Sequence, residues 1–174
     1  MPDARAMHDA SKQATSLQKT IADLQDYRQR LYSERNKHTQ AIEGKKKAAT
    51  DDINLATTDL GKQQKLLTKA QKNVAKLEKA FNKKYPNKPK KKDPNFADYK
   101  KDLAALTAAR GKLQGIQNAI SGLNTRISDG NAAIITSDAN LTRVRDAYNK
   151  KFAKNKSDLS TAQGKLNTAK PLAD

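Results

Sequence analysis

Lysine is the residue type whose number and spacing give this sequence its clearest chemistry. The 174 residues include 35 basic and 18 acidic side chains, for a formal net charge of +17 at pH 7. Residues 62–101 contain 14 lysines and 3 acidic residues, so this segment alone carries an excess of 11 positive charges. Because a lysine ammonium attracts phosphate and carboxylate groups as a point charge, the segment is the first candidate for binding a polyanion.

Seven of these lysines repeat at alternating steps of three and four residues, from Lys62 to Lys83. On a helix this spacing forms one stripe. Each lysine follows an apolar-series residue by two positions, or about 200°, so the stripe should point away from the packing face. More lysines lie among the prolines that follow. The candidate binding residues are Lys62, Lys65, Lys69, Lys72, Lys76, Lys79, Lys83, Lys84, Lys88, Lys90, Lys91 and Lys92.

The simpler interpretation of the stripe is the solvated face of an ordinary coiled coil. Such faces usually mix charge signs, whereas Glu78 is the only acidic residue between Lys62 and Lys92. The stripe therefore lacks the Glu to Lys pairs that stabilise helices by about 0.2 to 0.5 kcal/mol each. Arginine, which recognises bases bidentately, is absent from residues 62–101. Any nucleic-acid binding here should be independent of base sequence.

Other residue types offer little for catalysis. The chain has no Cys and no Trp, and its two histidines, His8 and His38, are far apart in the sequence. Asp51 and Asp52 follow Thr50, a pattern that indicates a helix N-cap with acidic residues in the first turn rather than a metal site. No glycine-rich phosphate loop or metal-ligand spacing is present. We expect no enzyme, no cofactor and no bound metal.

Apolar residues at heptad spacing predict the helices that would carry the lysines. Arg28 and Arg35 interrupt the first series, and His38 takes one of its positions. A four-residue stutter, which locally unwinds a supercoil, is predicted near residues 44–47. The first seam comprises Met7, Ala10, Ala14, Leu17, Ile21, Leu24, Leu31, His38, Ile42, Ala49, Ile53, Ala56, Leu60, Gln63, Leu67, Ala70, Val74, Leu77 and Phe81.

Three prolines within residues 85–95 forbid a continuous helix and predict a turn. Asp93 should cap a second helix with Pro94 at its first position, and Lys170 and Pro171 should end it. The second seam comprises Phe96, Tyr99, Leu103, Leu106, Ala109, Leu113, Ile116, Ile120, Leu123, Ile127, Ile134, Leu141, Val144, Tyr148, Phe152, Leu159, Ala162 and Leu166.

Together these signals predict an all-α fold, a single elongated helical domain over residues 1–174. We expect a long antiparallel helical hairpin of the coiled-coil type, with arms over residues 4–85 and 94–169 and a Pro/Lys-rich turn over 86–94. The alternative is an elongated four-helix bundle in which the arms break near Gly44 and Gly130. A seven-residue apolar step across Gly130 favours a continuous helix, weakened by about 1 kcal/mol at the glycine.

Four aromatic residues bracket the turn: Phe81, Tyr85, Phe96 and Tyr99. Three of them fall on the seams, which predicts a hydrophobic cap that closes the end of the hairpin. Tyr85 lies off the seam and is left as an exposed side chain that could stack on a base.

The predicted function is that of a non-catalytic structural protein, a coiled-coil component of a virion, phage particle or nucleoprotein assembly. Its basic end would contact nucleic acid or an acidic protein surface, and it would associate with itself or with other subunits. The alternative is a stalk-like recognition module that presents the basic tip to a receptor or partner protein. No signal peptide or long apolar segment is seen, so we expect a cytoplasmic or virion location without membrane insertion.

Overall fold

The fold is a pair of long helices that pack against each other. A computed structural model describes residues 3–173, with helix α1 at Ala4–Lys84 and helix α2 at Phe96–Ala173. The predicted all-α helical hairpin is confirmed. Gly44 lies inside α1 and Gly130 inside α2, so the helix ends that the four-helix alternative requires are not found among the described residues.

The chain divides into two packing units. One unit comprises the described residues of Met1–Lys46 and Ile135–Asp174, where the first half of α1 packs against the second half of α2. The other unit, Lys47–Ile134, contains the remainder of both helices and the segment that connects them. All twelve candidate lysines belong to this second unit.

The predicted seams are the buried faces of the helices. Every seam residue predicted above is buried or half-buried except His38, which is exposed. Leu31 and Ala56 are the most completely enclosed, at 1% and 0% exposure. Many buried positions hold alanine, including Ala10, Ala14 and Ala162. Small side chains allow the helices to approach closely, but each buries much less apolar area than leucine.

The stutter of α1 lies earlier than the sequence suggested. Buried and half-buried positions step by four residues twice in succession at Leu31, Arg35 and Thr39, and the alternation of threes and fours then resumes. The prediction near residues 44–47 was wrong because it placed His38, rather than Thr39, on the seam. Helix α2 contains the same double step at Val144, Tyr148 and Phe152.

These two stutters pack against each other within one unit. The rings of Tyr32 and Phe152 are 4.5 Å apart, and those of His38 and Tyr148 are 6.1 Å apart. The aromatic side chains fill the layer where both helices depart from the heptad phase. The periodicity of one helix alone could not show which of two adjacent residues would face that layer.

The helix ends also differ from the predicted ones. Helix α2 begins at Phe96 rather than at Pro94, because the Asp93 carboxylate accepts a hydrogen bond from the backbone N–H of Lys90 instead of capping the helix. At the other end α2 continues through Pro171 to Ala173. Pro171 has no N–H to donate to the preceding turn, but its fixed φ of about −65° is compatible with a helix, so the last residues can remain helical.

The helices are mostly polar outside their seams, although Leu55, Leu66 and Ile135 are exposed apolar side chains. Mean hydropathy over the chain is −0.94. Across the described residues, neither helix contains a stretch both long and apolar enough to cross a membrane.

Candidate polyanion-binding surface

The lysine surface, defined as the twelve predicted lysines between Lys62 and Lys92, faces solvent throughout. All twelve are exposed, including the seven that form the stripe on α1. The seam residues on either side of the stripe, such as Leu67, Val74 and Phe81, are buried or half-buried. The helix therefore carries its lysines away from its packing face, as the spacing predicted. Whether these lysines bind a partner remains a prediction.

Few of these lysines are neutralised by the chain itself. Among residues 3–173, ion pairs involve only two of the twelve: Lys62 with Asp59 at 3.9 Å and Lys84 with Asp102 at 2.9 Å. Glu78, the one acidic residue inside the stripe, binds Arg110 of α2 instead, with N–O distances of 2.9 and 3.0 Å. The carboxylate best placed to neutralise the stripe is thus occupied across the helix interface.

An aromatic cluster closes the end of the hairpin. The ring of Tyr85 lies 5.1 Å from that of Phe81 and 5.2 Å from that of Tyr99, and Phe96 stacks on Tyr99 at 6.2 Å. Aromatic pairs at these separations stabilise beyond the area they bury, by about 0.5 to 1.5 kcal/mol each. The structure thus contains the predicted cap.

Tyr85 is a member of this cap, and the prediction that it would be exposed was wrong. It is only 6% exposed, and its hydroxyl donates a hydrogen bond of 2.7 Å to Oδ2 of Asp102. Tyr85 follows Phe81 by four positions, and both rings pack against Tyr99. The buried face of the chain therefore continues from Phe81 to Tyr85. A ring enclosed in this way cannot also stack on a base.

Three polar groups interact at the edge of the cap. The Asp102 carboxylate accepts hydrogen bonds from the Lys84 ammonium at 2.9 Å and from the Tyr85 hydroxyl. The bond from Lys84, followed by that from Tyr85, lowers the pKa of Asp102. The same contact with Asp102 raises the pKa of Lys84 above its ordinary value. Burial, more than the neighbouring carboxylate, raises the pKa of Tyr85. Lys84 therefore remains charged but is held by the fold.

The connecting segment is ordered around a four-residue turn. The backbone N–H of Asp93 donates to the carbonyl of Lys90 at 2.9 Å, and the N–H of Lys90 donates to Oδ2 of Asp93 at 2.7 Å. Lys91 and Lys92 occupy the two central positions of this turn. This turn lies within the predicted Pro/Lys-rich turn over residues 86–94, but its bond from the Lys90 N–H to the Asp93 carboxylate was not predicted, because Asp93 was assigned to capping α2.

The residues considered for catalysis or metal binding either form ion pairs or are exposed. Asp51 pairs with Lys47 one turn earlier on α1, at 2.8 Å, and Asp52 pairs with Arg126 of α2. The predicted N-cap at Thr50 was wrong, because α1 is continuous there. His8 and His38 are both exposed. Over the described residues no three His, Asp or Glu side chains are grouped closely enough to hold a metal ion.

A second aromatic cluster, in the other packing unit, was not anticipated. The guanidinium groups of Arg28 and Arg35 lie over the rings of Tyr32 and Phe152, at 5.1 to 5.9 Å from the ring centroids. The two arginines that interrupt the apolar series are therefore seam residues, each packed on an aromatic face by a cation–π contact. Arginine at a seam position near aromatic residues was the signal available in the sequence.

Comparisons of the chain with family models, with curated proteins and with solved structures found no match.

Proposed function

We propose that this protein is a non-catalytic helical component of a nucleoprotein assembly, such as a virion or phage particle, and that its lysine surface binds the phosphate backbone of nucleic acid. The observation that supports this most directly is the exposure of all twelve lysines, with Glu78 bound to Arg110 rather than to any of them. A helix that keeps like charges one turn apart is destabilised by their repulsion. A polyanion removes that repulsion when it binds.

The form of the charge favours nucleic acid over an acidic protein face. From Lys62 to Lys83 the stripe extends for about 32 Å along α1, with one ammonium every 5 Å or so. A phosphate backbone presents negative charge continuously over such a distance, about one charge per 3.4 Å of each strand of a duplex. Protein surfaces usually interleave both signs of charge. A long stripe of one sign is therefore the better match to a linear polyanion.

The binding mode should be independent of sequence. Residues 62–101 contain no arginine to form bidentate contacts with base edges. Tyr85 is enclosed in the aromatic cap, so it is not available for stacking on a base. Lysine contacts to phosphate supply affinity and position but carry no sequence information.

The experiment is a salt titration of binding to random-sequence duplex and single-stranded DNA. Affinity should fall linearly with salt on a log–log plot, with a slope of about −0.9 for each phosphate contacted on duplex DNA. Reversing three charges of the stripe, with Lys69→Glu, Lys72→Glu and Lys76→Glu combined, should reduce the size of that slope by up to about 3.

A matched control carries the same change in net charge at three exposed α1 lysines outside the lysine surface, Lys12, Lys19 and Lys37. This control should retain a slope close to that of the wild type. Binding that is absent at low salt, or insensitive to salt, would refute the proposal. Equal losses in both triple variants would show that net charge matters and the stripe does not. Preference for polyglutamate over DNA in a competition assay would favour the acidic-protein alternative instead.

A further inference from the structure

The segment between the two helices contains four of the exposed lysines and a single acidic residue, Asp93. In the sequence, Asp93 directly follows three lysines, Lys90, Lys91 and Lys92. In the structure it accepts a hydrogen bond from the backbone N–H of Lys90. Over the described residues it forms no ion pair with a lysine side chain, so Lys88, Lys90, Lys91 and Lys92 all remain without a carboxylate partner.

The two hydrogen bonds between Lys90 and Asp93 are reciprocal. The N–H of Asp93 bonds to the carbonyl of Lys90 at 2.9 Å, while the Asp93 side chain returns to the N–H of Lys90 at 2.7 Å. One backbone hydrogen bond and one side-chain hydrogen bond thus join the first and last residues of this four-residue turn. Side-chain bonds of this kind fix turns that the backbone alone would leave mobile.

The fold also holds the segment at both of its ends. Before it, Tyr85 is buried in the aromatic cap and its N–H bonds to the carbonyl of Phe81 at 2.8 Å. After it, the N–H of Phe96 bonds to the carbonyl of Asp93 at 3.1 Å. Pro86, Pro89 and Pro94 have fixed φ angles and restrict the residues that precede them. These hydrogen bonds and prolines reduce the backbone freedom that the segment would lose when it binds a partner.

We propose that Asp93 is a positioning residue, whose carboxylate holds the turn so that Lys90, Lys91 and Lys92 form a preorganised cluster of cations for neighbouring phosphates of a nucleic-acid strand. This inference rests on the proposed function. Preorganisation raises affinity because the loop is already ordered before it binds, so binding does not carry the entropic cost of ordering it.

Asp93 offers a test that separates geometry from charge. If only net charge mattered, every neutral substitution of Asp93 would strengthen binding to a polyanion, because the formal charge of +17 would rise by one. If the turn matters, the effect depends on what replaces the carboxylate. The amide oxygen introduced by Asp93→Asn could still accept a hydrogen bond from the Lys90 N–H, whereas the methyl group introduced by Asp93→Ala could not.

The experiment compares the full-length variants Asp93→Asn and Asp93→Ala, which have the same net charge. Affinity for a short random-sequence duplex is measured at fixed low salt, and helicity by circular dichroism. We expect Asp93→Asn to bind at least as tightly as the wild type and Asp93→Ala to bind about three- to tenfold more weakly than Asp93→Asn. The control pair is Asp98→Asn and Asp98→Ala, an exposed carboxylate in the first turn of α2, and its two members should bind equally.

A second measurement reports on the turn without any ligand. Amide hydrogen exchange at Lys90 should be faster in Asp93→Ala than in the wild type, with protection largely restored in Asp93→Asn. Unchanged exchange in Asp93→Ala would overturn the inference.

The binding data distinguish two kinds of failure. If the wild type binds DNA but Asp93→Asn and Asp93→Ala bind equally, Asp93 has no positioning role and the proposed function stands. If the wild type itself does not bind DNA, both proposals fail.

Discussion

A methyl group at Gly130 of α2 would lie 2.6 Å from Cγ1 and 3.0 Å from Cδ1 of Ile53 on α1. It would also lie 3.6 Å from the carbonyl oxygen of Ala49. Among the glycines of this packing unit, Gly130 is therefore the position at which the two helices approach most closely. From the sequence alone, the same glycine looks like a weak point of α2. Glycine lowers the helix propensity at this position, but its lack of a side chain leaves the space that the Ile53 side chain occupies.

Replacing Gly130 with alanine should destabilise the protein by about 1 kcal/mol. Alanine gains about 1 kcal/mol of helix propensity, but overpacking against a β-branched side chain costs about 1 to 3 kcal/mol, because Ile has one strongly preferred rotamer in a helix. Urea unfolding monitored by circular dichroism measures the difference.

Gly122→Ala on the same helix is the control. No side chain lies within 4 Å of a methyl group there, so this variant should be more stable than the wild type by up to about 1 kcal/mol. In an Ile53→Ala background the Gly130→Ala change should become neutral or favourable. A constant effect of Gly130→Ala in both backgrounds would show that the contact with Ile53 is not its cause.

Asp52 of α1 and Arg126 of α2 form a cross-helix ion pair in the same unit, and this pair predicts a loss of stability in acid. Arg126 Nε lies 2.9 Å from both carboxylate oxygens of Asp52, and a terminal guanidinium nitrogen also contacts Oδ1. The hydrogen bond from Arg126 lowers the pKa of Asp52, partly opposed by burial. The folded protein therefore favours the ionised carboxylate more than the unfolded chain does.

The sign of the pH dependence follows from this lowered pKa. The contribution of Asp52 should be fully present above the unfolded pKa of about 4 and should disappear as the pH falls through the lower folded value. Asp52→Asn should flatten the decrease in unfolding midpoint below about pH 4, while Asp51→Asn, which removes a pair within one helix, should change it less. A steeper acid transition in Asp52→Asn would contradict the assignment.

Tyr85 predicts separable effects of its ring and of its hydroxyl. Tyr85→Phe keeps the packing on Phe81 and Tyr99 but removes the bond to Asp102, and should cost about 1 kcal/mol. Tyr85→Ala removes both, and should cost about 3 kcal/mol or more. Thermal unfolding compares the two. Tyr85→Phe should leave DNA affinity unchanged, and a loss of affinity with normal helicity would restore a direct binding role for Tyr85.

The sequence predicted the helices and their buried faces because leucine, isoleucine and alanine recur at three- and four-residue steps on both arms. It predicted the exposed stripe for the same reason, since Lys62 to Lys83 keep that rhythm two residues out of phase. Both are properties of one helix considered alone.

What the sequence could not predict depends on contacts between residues distant in the chain. Thr39 rather than His38 joins the seam in the layer where α1 and α2 both depart from the heptad phase, and Asp93 bonds to the Lys90 amide instead of capping α2. Asn155 shows the limit most clearly. An asparagine among lysines and serines reads as a surface residue, yet this one is 2% exposed.

Asn155 is a buried polar residue that should specify the register of its helix pair. Its Nδ2 donates to the backbone carbonyl of Leu24 at 2.9 Å, and within the described residues its buried Oδ1 has no hydrogen-bond partner. An unsatisfied buried polar atom costs about 1 to 3 kcal/mol. Buried asparagines in coiled coils can oppose stability and still fix alignment, because other registers would leave the whole amide unpaired.

Asn155→Leu should therefore raise the unfolding free energy by about 1 to 3 kcal/mol while loosening the alignment of α1 and α2. The chain contains no cysteine, so spin labels can be placed uniquely on cysteines introduced at the exposed Gln18 and Lys165. Their distance distribution should be narrow in the wild type and broader or doubled in Asn155→Leu. The same substitution at the exposed Asn149 should leave the distribution narrow. If Asn155→Leu is less stable and equally narrow, the bond to Leu24 stabilises the pair outright and does not act through register.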